Sequence, residues 1–199
     1  YFRKELGSVS EDRNVVSWAY LSAEHCLGYS RSDCILYENQ IISNNVSDKL
    51  RKIVKDLKQN KPLQYILGET HFYGMKIKVN EYTLIPRPET EEMVDWILKE
   101  SFKTGLDIGT GSGCIAVALA KHSNAEISGI DISKEALKLA KENAILNNVN
   151  VLFNQHDIFQ QKKLTKFDLI VSNPPYVLNS EKVEMQQNVL KYEPHLALF

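Results

Sequence analysis

The chain has 199 residues, 43% of them hydrophobic and 25% charged, a balance that suits one globular domain with a small appendage. Its 25 acidic and 24 basic residues leave no net field to attract nucleic acid or an anionic membrane surface. No apolar run approaches the roughly 20 residues of a membrane helix, and the opening Tyr1-Phe2-Arg3-Lys4-Glu5 lacks both an apolar signal core and a methionine, which points to a trimmed start.

Cys26, Cys34 and Cys114 are odd in number and far apart, so they read as reduced thiols of a cytoplasmic protein. The five histidines, at 25, 71, 122, 156 and 195, form no ligand cluster, and no metal site is expected.

Residues 1–60 read as a small helical bundle, a recognition appendage. The first helix holds Val15, Val16, Trp18, Ala19 and Leu21, and the second spans Asp33 to Ile42. A third, capped by Ser47, carries Leu50, Ile53, Val54 and Leu57 on one stripe. Gln59-Asn60-Lys61-Pro62 ends the region. Residues 61–88 read as a β-hairpin linker, with short strands at Leu63–Leu67, Thr70–Tyr73 and Met75–Val79 and turns at Gly68 and Gly74. Thr90 is expected to cap a helix running to about residue 101, with Met93, Val94, Ile97 and Leu98 facing inward.

From Lys103 strands and helices alternate. Strands are expected at Gly105–Ile108, Ala125–Ile130, Val151–Phe153 and Phe167–Val171. Helices are expected from Cys114 to Lys121 and, capped by Ser133, through Ile145 to Asn147-Asn148. Such alternation predicts an α/β fold, a Rossmann-like parallel sheet with right-handed crossovers, over residues 89–199.

The first of these strands runs into Asp107-Ile108-Gly109-Thr110-Gly111-Ser112-Gly113-Cys114. Alternate glycines permit a tight turn, or the close approach of a ligand to backbone. A dinucleotide fingerprint needs a third glycine at position 114, where Cys114 stands, which argues against a pyrophosphate cofactor. Asp131 ends the second strand, where a carboxylate can accept both hydroxyls of a ribose. Asp157 follows the third, as an adenine acceptor beside Ile158 and Phe159 or as a plain turn residue. These parts suit an adenosine without a pyrophosphate clamp, and S-adenosylmethionine fits them, with Asp107 as an acceptor for its ammonium.

The fourth strand stops at Asn173-Pro174-Pro175-Tyr176. Proline cannot extend a central ladder and pushes the residue before it to an extended backbone. This is a rigid turn, or a polar side chain held still at the carboxyl end of a strand, where α/β sheets bind ligands. A planar nitrogen is a poor nucleophile. The Asn173 side-chain oxygen and the Pro174 carbonyl would each accept one of its N–H groups, fixing it in line with the methyl and stabilising the developing charge. Tyr176 would wall the site and pack on the planar group.

Asp107–Gly113 together with Asn173–Tyr176 resemble the class I methyltransferases that modify planar nitrogens. Gln64-Tyr65-Ile66-Leu67-Gly68, Ile85-Pro86-Arg87-Pro88-Glu89-Thr90-Glu91 and Tyr192-Glu193-Pro194-His195-Leu196-Ala197-Leu198-Phe199 narrow this. They resemble the protein-(glutamine-N5) methyltransferases of peptide chain release factors. The resemblance implies S-adenosylmethionine as cofactor and a cytoplasmic enzyme whose partner is a release factor, methylated at the glutamine of its Gly-Gly-Gln loop. It implies cofactor contacts at Gly109, Thr110, Gly111, Ser112, Gly113, Asp131, Ile158 and Asn173. It implies substrate contacts at Asn173, Pro174, Pro175 and Tyr176. Arg87 and Glu89 would shape the pocket mouth or form a surface ion pair. Family members continue past Phe199 with three further strands, so an open sheet edge is expected here. The alternatives are a nucleic-acid base methyltransferase sharing Asn-Pro-Pro-Tyr, against which the near-zero charge argues, and an adaptor with a dead nucleotide pocket, which would show damage at Asp131, Asn173 or the glycines.

Overall fold

The computed structural model describes residues 1–160 and 166–199. It divides into two compact units, Tyr1–Leu67 and Gly68–Phe199.

The first unit holds five helices: α1 (Phe2–Leu6), α2 (Asp12–Leu27), α3 (Arg31–Leu36), α4 (Asn44–Leu57) and α5 (Leu63–Leu67). Ser30 and Asp33 form a reciprocal capping box that starts α3. The helix ends at Leu36 rather than Ile42 because the residues beyond find no core; Ile41 is 95% exposed. Ser43, not Ser47, caps α4, its hydroxyl accepting the Val46 N–H. The stripe of α4 lies as its spacing predicts. Ile53, Val54 and Leu57 pack with Leu6, Val15 and Leu63, and Leu50 packs against them half-buried. Leu63–Leu67 is a helix, not the short strand expected there. The Pro62 carbonyl accepts from Tyr65 and Ile66. The 3–4 residue spacing of Leu63, Ile66 and Leu67 then puts all three against the bundle core.

In the second unit, β1 (Glu69–Phe72) and β2 (Met75–Lys78) form an antiparallel hairpin closed by Tyr73-Gly74. Both turn residues have positive φ, 49° and 71°, the twist a two-residue hairpin needs. Helix α6 (Pro88–Ile97) starts at its proline, so Arg87 is the N-cap; Thr90 lies inside the first turn, buried, and does not cap.

Four parallel strands follow: β3 (Thr104–Ile108), β4 (Glu126–Asp131), β5 (Val151–Gln155) and β6 (Leu169–Ser172), ordered β5-β4-β3-β6. Crossover helices α7 (Cys114–His122) and α8 (Lys134–Leu146) connect β3 to β4 and β4 to β5, as the alternation predicts. Gly129 is demanded by packing: a Cβ there would lie 2.7 Å from the Phe153 ring and 2.9 Å from Thr110 Oγ1. Among the described residues β6 pairs only with β3. Beyond it a 3₁₀ turn (Asn179–Glu184), α9 (Gln187–Tyr192) and a second 3₁₀ turn (His195–Ala197) bring the chain back, and the Val177 N–H donates to the Leu198 carbonyl.

Candidate active site

Ile108 and Ser172 are paired at the carboxyl ends of β3 and β6, and the Ser172 hydroxyl donates to the Ile108 carbonyl at 2.8 Å. Gly109 and Asn173 therefore leave the sheet side by side. Asp131 ends the next strand, and Asp157 follows the strand beyond that. Strand order alone thus sets Asp157, Asp131, the glycine loop and Asn173 in sequence along one edge, the position where open α/β sheets bind ligands.

The loop is held almost wholly by the protein. The Gly109 and Thr110 amides donate to the Ile130 carbonyl at 2.9 and 3.0 Å, and the Gly113 amide donates to the Thr110 carbonyl at 2.8 Å. The Gly111 amide donates to Asp131 Oδ2 at 2.8 Å. The loop is therefore a shaped surface more than a set of free donors. Gly113 has φ +79°, and a Cβ there would press to 2.9 Å from the Ala140 Cβ. A Cβ at Gly109 would meet nothing within 4 Å, so that side of the loop is open.

Asp107 is buried, and Thr110 Oγ1 donates to its Oδ2 at 2.6 Å. Its Oδ1 has no hydrogen bond of ordinary geometry. Burial pushes this carboxyl up to about 6; the Thr110 hydroxyl and the Ala116 amide pull it back, and the Asp131 charge adds a small upward push. Burial likewise pushes the Cys114 thiol up to about 12, so it is no thiolate nucleophile. Asp131, half-buried, accepts Gly111 N–H on Oδ2 and Ser133 N–H on Oδ1, the latter at 2.9 Å. Each oxygen keeps a lone pair, enough for a vicinal diol. Asp157 has the geometry of a turn: its Oδ1 accepts the Phe159 N–H at 3.0 Å, while Ile158 and Phe159 are exposed, Phe159 at 92%.

On the other side of the loop from Asp131 lies a cavity of about 370 Å³. Arg87, Glu89, Thr90, Asn173, Pro174 and Tyr176 line it, together with the apolar Met185, Val189, Ala197 and Leu198. Pro175 does not line it, and Tyr176 is largely exposed. The Asn173 Nδ2 donates to Thr90 Oγ1 at a long 3.5 Å, which directs the amide oxygen away from α6. Arg87 does not pair with Glu89. It donates to Glu193 Oε1 at 2.6 Å, and that carboxylate is buried, with Oε2 lacking a partner. Among the described residues no three metal-ligating side chains come together.

Residues 89–195 match the family described as Methyltransferase small domain, and residues 2–68 the PrmC N-terminal domain. The release factor glutamine methyltransferase of Flavobacterium psychrophilum is 47% identical, over all of this chain and 73% of its own length. That of Streptococcus pneumoniae is 43% identical, over all of this chain and 71% of its own. The chain belongs to the release factor glutamine methyltransferase family. The solved structure of a methyltransferase from Pyrococcus furiosus superposes with a TM-score of 0.47, over 67% of this chain and 64% of its own, at 21% identity; so partial a likeness decides nothing about the site.

In this member of the release factor glutamine methyltransferases, three site-forming residues escape a reading of the sequence. Thr90 holds the Asn173 amide, Glu193 holds Arg87, and Asn143 of α8 reaches the glycine loop. Glu193 had a signal, a charged residue locked before Pro194. Thr90 looks like a cap, and Asn143 looks like any polar residue on an amphipathic helix.

Proposed function

We propose that the protein transfers a methyl group from S-adenosylmethionine to the side-chain amide nitrogen of the glutamine in a release factor's Gly-Gly-Gln loop. The names of the relatives support the reaction and the partner. The observation that carries the residue assignment is the side-by-side exit of Gly109 and Asn173, with Asn173 lining a cavity on one side and the open glycine loop on the other.

The residues present fit the cofactor. A buried carboxylate oxygen of Asp107 stands without a partner, the loop is open above Gly109, and Asp131 keeps acceptor capacity on both oxygens. When bound, S-adenosylmethionine supplies an electrophilic sulfonium methyl, and the net change is an N–H exchanged for an N–CH₃ with one proton released to water. Asp107 holds the ammonium, Asp131 the ribose, and Asp157 with Ile158 the adenine. Gly109, Thr110, Gly111, Ser112 and Gly113 give the surface beneath.

On the acceptor side, Asn173 Oδ1 takes no hydrogen bond from the described residues, so it is free for one substrate N–H. The Pro174 carbonyl takes the other. Pro174 and Pro175 keep both oxygens fixed, which spares their reorganisation as charge develops on the nitrogen. Tyr176 covers the planar amide, and Arg87 and Glu89 recognise the chain that carries it. No helix among the described residues is long and apolar enough to cross a membrane, and three unpaired thiols suit the cytoplasm where release factors work.

The test is incubation of the protein with S-adenosylmethionine and intact release factor, followed by mass analysis of the Gly-Gly-Gln peptide. The expected result is a peptide heavier by one methyl. Label transferred to tRNA or DNA instead would replace this reading by a base methyltransferase, and label in neither would refute both.

A further inference from the structure

Helix α8 carries a fully buried asparagine whose three hydrogen bonds go to two separate parts of the second unit. Asn143 Oδ1 accepts the Lys78 N–H at 2.7 Å, and its Nδ2 donates to the Lys78 carbonyl at 3.0 Å and to the Ser112 carbonyl at 2.8 Å. The first two bonds imitate a strand partner and hold the end of the hairpin. The third reaches the glycine loop. The peptide between Ser112 and Gly113 is thereby fixed at both ends: its carbonyl by Asn143, its N–H by the Thr110 carbonyl at 2.8 Å. Gly113 then enters α7 at φ +79°. The hairpin is tied to α8 a second time, where Asn147 Nδ2 donates to the Lys76 carbonyl at 3.0 Å.

We propose that Asn143 is a positioning residue that couples the hairpin to the cofactor loop, so that cofactor affinity depends on a side chain the cofactor does not touch. The inference rests on the reading of the glycine loop as the cofactor site. Without Asn143 the Ser112 carbonyl is buried and unpaired. The 112–113 peptide can rotate, and the surface beneath the cofactor changes shape. Reciprocity requires the converse: cofactor binding must steady the end of the hairpin that shares Asn143 with the loop.

The experiment measures S-adenosylhomocysteine binding by calorimetry to the full chain, with Asn143→Ala, Asn143→Asp and, as a control in the same helix, Leu139→Ala. Leu139 is buried and bonds to neither loop nor hairpin. Both Asn143 variants are expected to bind about tenfold more weakly. The release factor KM is expected to stay unchanged at saturating cofactor. Leu139→Ala is expected to lower the melting temperature as much while keeping wild-type affinity. Equal loss of affinity in Leu139→Ala, or none in the Asn143 variants, overturns the coupling. Should the Asn143 variants fail to fold, hydrogen exchange on the wild-type chain decides: ligand should slow exchange at the Lys78 amide, and unchanged exchange there overturns the proposal. A wild-type chain that binds no ligand at all refutes the cofactor site itself, an outcome distinct from failure of the coupling alone.

Discussion

At the residue scale the proposed mechanism rests on two side chains that act in opposite ways. In that proposal Asn173 acts through a side-chain oxygen that takes no hydrogen bond from the described residues. Asn173→Ala removes that preorganised acceptor and should lower kcat by about 10²-fold or more. Cofactor affinity should change little, because Asp107 and Asp131 are untouched; turnover that survives, measured with saturating release factor, sinks the role. In the same proposal Asp107 acts through a buried carboxylate with one oxygen short of a partner. Its carboxyl is raised from 3.8 to about 6, so the folded chain holds a proton more tightly than the unfolded chain does. Between about pH 4 and 6 this group favours folding less and less as pH rises, and above pH 6 it opposes folding by about 3 kcal/mol. A cationic ligand repays that cost by preferring the ionised form. Cofactor affinity should therefore fall as pH drops from 7 to 5, while Asp107→Asn should flatten the profile, weaken binding and raise the melting temperature at pH 8. Calorimetry at the two pH values checks the first claim. A profile unchanged by the substitution would assign the titration to another group.

At the scale of elements, the loop is set by neighbours more than by its own glycines. Asp131 accepts the Gly111 and Ser133 amides, so it organises both the loop and the start of α8. Asp131→Ala should weaken cofactor binding and also lower stability by about 1 kcal/mol, because two part-buried amides lose their acceptor. A role limited to ribose contact would leave the melting temperature unchanged. This double duty explains what the sequence could and could not tell. The strand–loop–helix order from Lys103, the Ser133 cap and the stripe of α4 were legible because each depends on periodicity or on one capping side chain. The placement of Asp107, the glycines, Asp131 and Asn173 near the carboxyl ends of strands was legible because each sits at a fixed offset from a strand end. Leu63–Leu67 misled because a five-residue segment with Leu63, Tyr65, Ile66 and Leu67 is too short to fix a period, and packing in the bundle core decided. Arg87 pairing with Glu193 was out of reach, since 106 residues separate the partners and only the return of the chain at Val177–Leu198 brings them together. Asn143 was invisible for the same reason: its partners lie 65 and 31 residues away.

For the whole molecule the near balance of 25 acidic and 24 basic residues means that long-range steering does little to bring a partner in. Capture of a protein substrate would then come from contact surface, and the expectation that the first unit supplies it is open to a direct test. It has its own core, built from Leu6, Val15, Ile53, Val54, Leu57 and Leu63, and it contributes no residue to the glycine loop or to the cavity beside Asn173. A deletion meant to test this division must be placed with care. Cutting after Asn60 would leave Leu63, Ile66 and Leu67 attached to the second unit without the core they pack into, an exposed apolar stub that would confuse the result. Cutting before Gly68 removes α5 with its bundle and leaves the hairpin tied to α8 through Asn143 and Asn147. The shortened chain should bind S-adenosylhomocysteine within about twofold of the full chain, while its KM for intact release factor should rise about tenfold or more, the loss expected when a set of interface contacts is removed. A KM that stays at the full-chain value would show that the second unit captures the release factor unaided, and the helical unit would then need another role.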